Sequence, residues 1–158
     1  VVTVAKARGN GSPIGAVGAT TEGAAAFGPG DHGSTFAGQP VAAAAAREVL
    51  RVMEEIDAPR LARERGVELT GLLEGLPGIS SVRGQGLLLG AELAPGVLAE
   101  RTAPQVARAC LDAGLVVNGI TPTALRMAPP LTVSSAELVE GTEILGEVLA
   151  AGAAGKMA

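Results

Sequence analysis

The sequence predicts an α/β chain: two strands that need further partners to complete a sheet, a long helix and a small α/β domain. Three observations predict it. The elements read strand–strand, long helix, then β-β-α-β-β-α. The first two strands have too few partners to make a sheet of their own. The later strands alternate with amphipathic helices on the scale of a single core.

Each element follows from local chemistry. Val1 to Ala5 is apolar and β-branched without polar alternation, which predicts a buried strand. Lys6 closes it, and Gly9, Asn10, Gly11, Ser12 and Pro13 make a loop. Ile14 to Thr20 predicts a second short strand. Residues 21–39 form a long glycine-rich connection, with a helical turn expected from Thr21 to Phe27. Loops of that length inside a domain are often functional.

Pro40 suits the first turn of a helix, and Val41, Ala45, Val49, Val52, Met53 and Ile56 mark an apolar stripe. Asp57-Ala58-Pro59 ends or bends it. A second helical stretch runs from Pro59 to about Leu76, with Leu69, Leu72, Leu73 and Leu76 on one face. Ile79 to Arg83 predicts a strand, Gly84-Gln85-Gly86 a turn, and Leu87 to Leu93 a strand apolar on both faces until Glu92. Thr102 caps a helix whose inner face is Val106, Ala109, Cys110 and Ala113 and which stops at Gly114. Leu115 to Asn118 and Leu125 to Ala128 predict two more strands. Ser134 to Glu137 is a capping box opening a last helix through about Ala150.

Composition excludes several functions. The net charge of -4 rules out a strongly basic nucleic-acid platform. No apolar run is long enough for a membrane span. Cys110 is the sole cysteine, so no intrachain disulfide forms. His32 is the sole histidine, so a His-rich metal site is excluded. Neither a Walker loop nor a dinucleotide fingerprint is present. The chain opens directly on an apolar run at Val1, and is therefore expected to start partway through a larger protein.

Three places can carry chemistry. Lys6, one of only two lysines with Lys156, ends a strand just before a glycine-rich loop. It either reaches solvent at the strand edge or is an amine held in a cleft, where open α/β sheets place their ligands. Such an amine is suited to Schiff-base chemistry. His32-Gly33-Ser34-Thr35 is either an ordered turn or a phosphate grip of two hydroxyls and backbone N–H groups. Arg126, inside Leu125-Arg126-Met127-Ala128, either snorkels outward or meets a carboxylate with its fork. Cys110 reads as a core residue.

These segments together resemble the C-terminal part of the class III, fold-type I pyridoxal-phosphate (PLP) aminotransferases, from Val1 to about Leu149. Val4 to Ala16 is similar to the segment holding the cofactor lysine. Phe27 to Pro40 resembles the loop that reaches a neighbouring subunit's cofactor. Leu125 to Leu131 resembles the carboxylate-binding arginine segment. The sequence departs from the family pattern at Ala7-Arg8, Asn10, Ala37 and Gln39, none of which removes a proposed chemical group.

The resemblance implies roles. Lys6 would form a Schiff base with PLP and move the proton at the substrate α-carbon. Thr35 would bind the cofactor phosphate across a homodimer interface, Ser34 would contact the donor substrate, and Arg126 would clamp the substrate α-carboxylate. The implied reaction transfers an amino group between N2-acetyl-L-ornithine and 2-oxoglutarate, on the route to arginine, in the cytoplasm. No metal, nucleic acid or membrane is implied. Ornithine or succinylornithine as donor is the near alternative; a non-enzymatic binding module on residues 79–150 is the distant one. Residues 1–39 would end the large cofactor-binding domain, 40–76 form interdomain and connecting helices, 77–150 make the small domain and 151–158 a frayed tail. Alone, the chain is expected to be inactive and incompletely folded.

Overall fold

The computed structural model describes residues 1–31, 33–97 and 101–153. His32, Lys156 and most of the expected tail lie outside the described residues. The chain divides into two compact units, Val1–Asp57 and the part from Ala58 onward. That boundary falls inside the 40–76 helical stretch, at Asp57, whose φ is 47°.

The first unit pairs β1 (Val2–Val4) antiparallel with β2 (Ala16–Gly18), Thr3 opposite Val17. The expectation of a buried strand is corrected here. Val1 and Val2 are 83% and 65% exposed and only Val4 is half-buried, because β1 has β2 as its one strand partner among the described residues. A 3-10 turn, Lys6–Gly9, joins β1 to the loop. Thr20 caps the short α1 (Thr21–Ala24), its hydroxyl accepting from the Gly23 N–H at 3.2 Å. Then α2 (Pro40–Glu55) packs on the 3-10 turn. Its inward stripe is rotated from the expected one. Ala42 is buried and Ala46, Val49, Met53 and Ile56 are half-buried, while Val41 and Val52 are exposed. The 4-3-4-3 spacing of that set fits one helix face better than the stripe through Val41.

The second unit holds the main core. Its sheet has four antiparallel strands in the order β3-β4-β6-β5: β3 (Ile79–Gln85), β4 (Leu88–Leu93), β5 (Asn118–Gly119) and β6 (Ala124–Met127). Helices α3 (Ala58–Glu74) and α4 (Ala103–Asp112) pack on the sheet, and α5 (Ser135–Ala153) packs on both helices. Leu73, Leu125 and Leu145 are fully buried at the centre, beside Cys110 and Leu149.

Local outcomes differ from expectation in four places. β3 runs two residues further, through Gly84, whose missing Cβ leaves room for the Leu88 backbone; the turn is Gly86-Leu87. β4 is not apolar on both faces: Leu88 is exposed, and Leu89, Ala91 and Leu93 alternate inward. This is the period-2 signature of a sheet covered on one side. Leu115–Val117 forms no ladder, so β5 shrinks to Asn118–Gly119. The last helix reaches Ala153.

The Ser134 box forms as expected. The Ser134 N–H donates to Glu137 Oε2 at 2.7 Å and the Glu137 N–H donates to Ser134 Oγ at 3.2 Å. Hydrogen bonds from the Ser134 backbone and side chain hold the Glu137 carboxyl below its ordinary range.

Candidate functional site

Lys6 follows β1 after a single residue, Ala5, and adopts a left-handed backbone, φ 62°. An L-residue with a Cβ is disfavoured there by about 1 kcal/mol. Such outliers persist where the surroundings over-determine them, and they cluster at functional positions. The geometry arises locally. Gly9 is buried against Ile14, with no spare room for a side chain, and Asn10 closes the turn in the same left-handed region. The Lys6 side chain is exposed in this chain.

Arg8 lies two residues further along the same turn, and its guanidinium does not lie free. Nη1 is 3.9 Å from Met53 Sδ on α2, and no carboxylate among the described residues pairs with it. Its aliphatic stem lines a small apolar hollow with Val4, Ile14, Ala46 and Leu50.

Ser34 and Thr35 are exposed in the loop between α1 and α2. The Ser34 carbonyl accepts from the Ala37 N–H at 3.1 Å, closing a turn around Thr35. Upstream, the Gly28 N–H donates to Asp31 Oδ2 at 2.6 Å. Both hydroxyls are left without a hydrogen bond among the described residues.

Arg126 belongs to the second unit. It lies on β6 with an exposed side chain, flanked by buried Leu125 and Met127. Leu125 and Met127 anchor the strand, and alternation turns Arg126 to the opposite face. One row crosses that face: Arg83 opposite Gly90, Gly90 opposite Arg126, and Arg126 opposite Asn118. Arg83 Nη1 pairs with Glu92 Oε2 at 2.9 Å. Hydrogen bonds from Thr123 and then Arg83 hold the Glu92 carboxyl below its ordinary range. Arg126 Nη2 donates instead to Asn118 Oδ1 at 3.0 Å. Sequence reading gave Asn118 no role; its signal is the cross-strand register, legible only once β5 and β6 are paired.

Cys110 is buried, and burial pushes its thiol up from 9.0 to about 11. That is the setting of an inert core thiol. Among the described residues, no three His, Cys, Asp or Glu side chains gather closely enough to hold a metal ion. None of the helices there is long and apolar enough to cross a membrane.

The acetylornithine aminotransferase of Corynebacterium efficiens is 43% identical over 150 residues, covering 95% of this chain and 36% of the relative. That of Mycobacterium tuberculosis is 46% identical over 143 residues, covering 87% of this chain and 34% of the relative. Among solved structures, the ornithine aminotransferase of Toxoplasma gondii superimposes with a TM-score of 0.82 at 25% identity, covering 98% of this chain and 37% of its own. The acetylornithine aminotransferase of Elizabethkingia anophelis gives 0.78 at 29% identity, covering 94% of this chain and 40% of its own. The chain thus spans between a third and two fifths of the length of the relatives it matches. The family model for class III aminotransferases matches residues 1–149, so the chain belongs to the class III aminotransferase family.

Proposed function

We propose that the protein to which this chain belongs is a PLP-dependent aminotransferase. It exchanges an amino group between N2-acetyl-L-ornithine and 2-oxoglutarate in arginine biosynthesis, in the cytoplasm, as a homodimer with a shared active site. In this reading, residues 1–39 end the cofactor-binding domain, 40–76 connect, and 77–150 form the small domain. The observation that supports it best is Lys6: a primary amine two residues past the end of a strand, on strained left-handed backbone, within a matched family segment.

The residues present fit the cofactor by their chemistry. PLP needs an amine for its aldehyde and donors for its phosphate, and the first unit offers exposed Lys6, Ser34 and Thr35. When bound, PLP supplies the electron sink that makes the substrate C–H acidic. Lys6 would hold the cofactor through Nζ, and its amine would move the proton at the substrate carbon. The Thr35 hydroxyl would donate to the phosphate, and Ser34 would contact the donor substrate. Arg126 grips a carboxylate with its planar fork.

Substrate chemistry sharpens two of these roles. The α-nitrogen of N2-acetyl-L-ornithine is acylated, so its δ-amine is the one that reacts. In the donor half-reaction Lys6 therefore works at the δ-carbon. Only 2-oxoglutarate and its product glutamate carry a carboxylate on the reacting carbon. The Arg126 clamp therefore belongs to their half-reaction.

The test is borohydride reduction of the intact holoenzyme followed by peptide mapping. The expected pyridoxyl label is on Lys6, and Lys6→Ala in the intact enzyme should lower amino transfer by at least about a thousandfold. Label only on Lys156, or none, overturns the reading and favours a non-enzymatic module. Comparing kcat/KM for N2-acetyl-L-ornithine, ornithine and succinylornithine tests the donor. The structural likeness to the T. gondii ornithine aminotransferase makes ornithine the second reading. A higher value for either rival overturns the donor assignment while leaving the chemistry standing.

A further inference from the structure

We propose that Asn118 is a positioning residue for Arg126, and that its neutral amide keeps the guanidinium aimed and open for the carboxylate of 2-oxoglutarate. The inference rests on the role proposed above for Arg126.

Register makes the contact. Asn118 lies directly opposite Arg126 on the neighbouring strand, and directly opposed residues share a face. Nη2 donates to Oδ1 at 3.0 Å, a good length for such a bond. On the other flank, Arg126 faces Gly90, which brings no side chain. Asn118 is therefore the one side chain that restrains the guanidinium among the described residues. One amide oxygen engages one of five N–H donors, so the rest of the fork remains open.

Charge allocation supports the same reading. Glu92, the carboxylate on this face, is engaged by Arg83 and Thr123. Arg126 is left with a neutral acceptor. An aspartate in place of Asn118 would form an ion pair that each incoming carboxylate must displace. An alanine would leave the long side chain to sample rotamers that binding must then freeze.

The backbone holds Asn118 in place. A two-residue strand would be a weak support by itself. Here Gly119 packs so closely on Ala103 and Pro104 at the start of α4 that a Cβ would overlap their backbone. The Ile120 N–H also donates to the Ala124 carbonyl at 3.0 Å. Asn118 is thus pinned by backbone packing rather than by strand length.

The test uses the full-length holoenzyme and single-turnover measurement of each half-reaction, followed by cofactor absorbance. Asn118→Asp should weaken apparent 2-oxoglutarate binding about tenfold, and Asn118→Ala about threefold. Both should leave the N2-acetyl-L-ornithine half-reaction within about twofold, because its reacting carbon bears no carboxylate. A purely structural role would disturb both halves alike, and that outcome overturns the inference. So does unchanged 2-oxoglutarate binding in both variants when Arg126→Lys impairs it. If Arg126→Lys leaves 2-oxoglutarate binding intact, the Arg126 assignment and this inference fall together.

Discussion

Lys6 and Cys110 sit at opposite extremes of exposure. Lys6 was singled out by rarity and position, and the sequence held both facts. Its left-handed backbone was not legible, because it depends on how Gly9, Asn10 and Ile14 close the turn. Cys110 was read as core from its place on an inward helix face, and it is fully buried. Its thiol should resist aromatic disulfide reagents in the native state. With ionisation displaced to about 11, thiolate at pH near 8 is on the order of one part in a thousand. Rapid labelling without unfolding would contradict this. The same shift has a stability sign. The unfolded thiol ionises near 9.0 and the native one near 11, so native stability attributable to this group is lost as pH rises through that interval. Asn118 was missed because an exposed asparagine between two apolar stretches carries no pattern; its partner is fixed by pairing eight residues away.

Among the elements, caps and helix faces were the most legible features, since they are encoded within a few residues. The Ser134–Glu137 box is a case where sequence and geometry coincide. Ser134→Ala should destabilise the second unit by about 1 kcal/mol in denaturant unfolding. Glu137 is held below its ordinary carboxyl range, so its contribution is present above that range and fades as pH falls through it. A wild-type-minus-Glu137→Gln difference in Tm that grew on acidification would refute this. Element ends set by tertiary contact were less legible. The β3–β4 turn was placed too early because Gly84 reads as a turn former, whereas it is kept for backbone approach to Leu88. At α3 the same logic is stronger. A Cβ on Gly66 would overlap the Gly86 carbonyl, which is rigid backbone. Gly66→Ala should therefore destabilise by about 1–3 kcal/mol or more, against the usual gain from alanine in a helix. A rise in Tm would show that the hairpin moves aside at little cost.

For the molecule as a whole, the α/β class and the order of elements were legible from periodicity. Burial in the first unit was not. Val1 and Val2 read as part of a buried strand and stand exposed. Sequence pattern reports what a strand is suited to cover, not what covers it. The two units should therefore differ in hydrogen exchange when the 158-residue chain is studied alone. Amides of β4, β6 and α5 should be protected, while those of β1 and β2 exchange rapidly. Equal protection across both units would sink this expectation.

The meeting of Gly66 with Gly86 has one more consequence. Helix and hairpin touch there through main chain alone, with no side chain that could trim or swell to absorb error. Evolution or a designer is left without intermediate steps at that spot: the two segments slide as a matched pair or stay where they are. Substitutions nearby should thus be readable as all-or-none, which makes this contact a sensitive gauge of whether the hairpin has kept its seat.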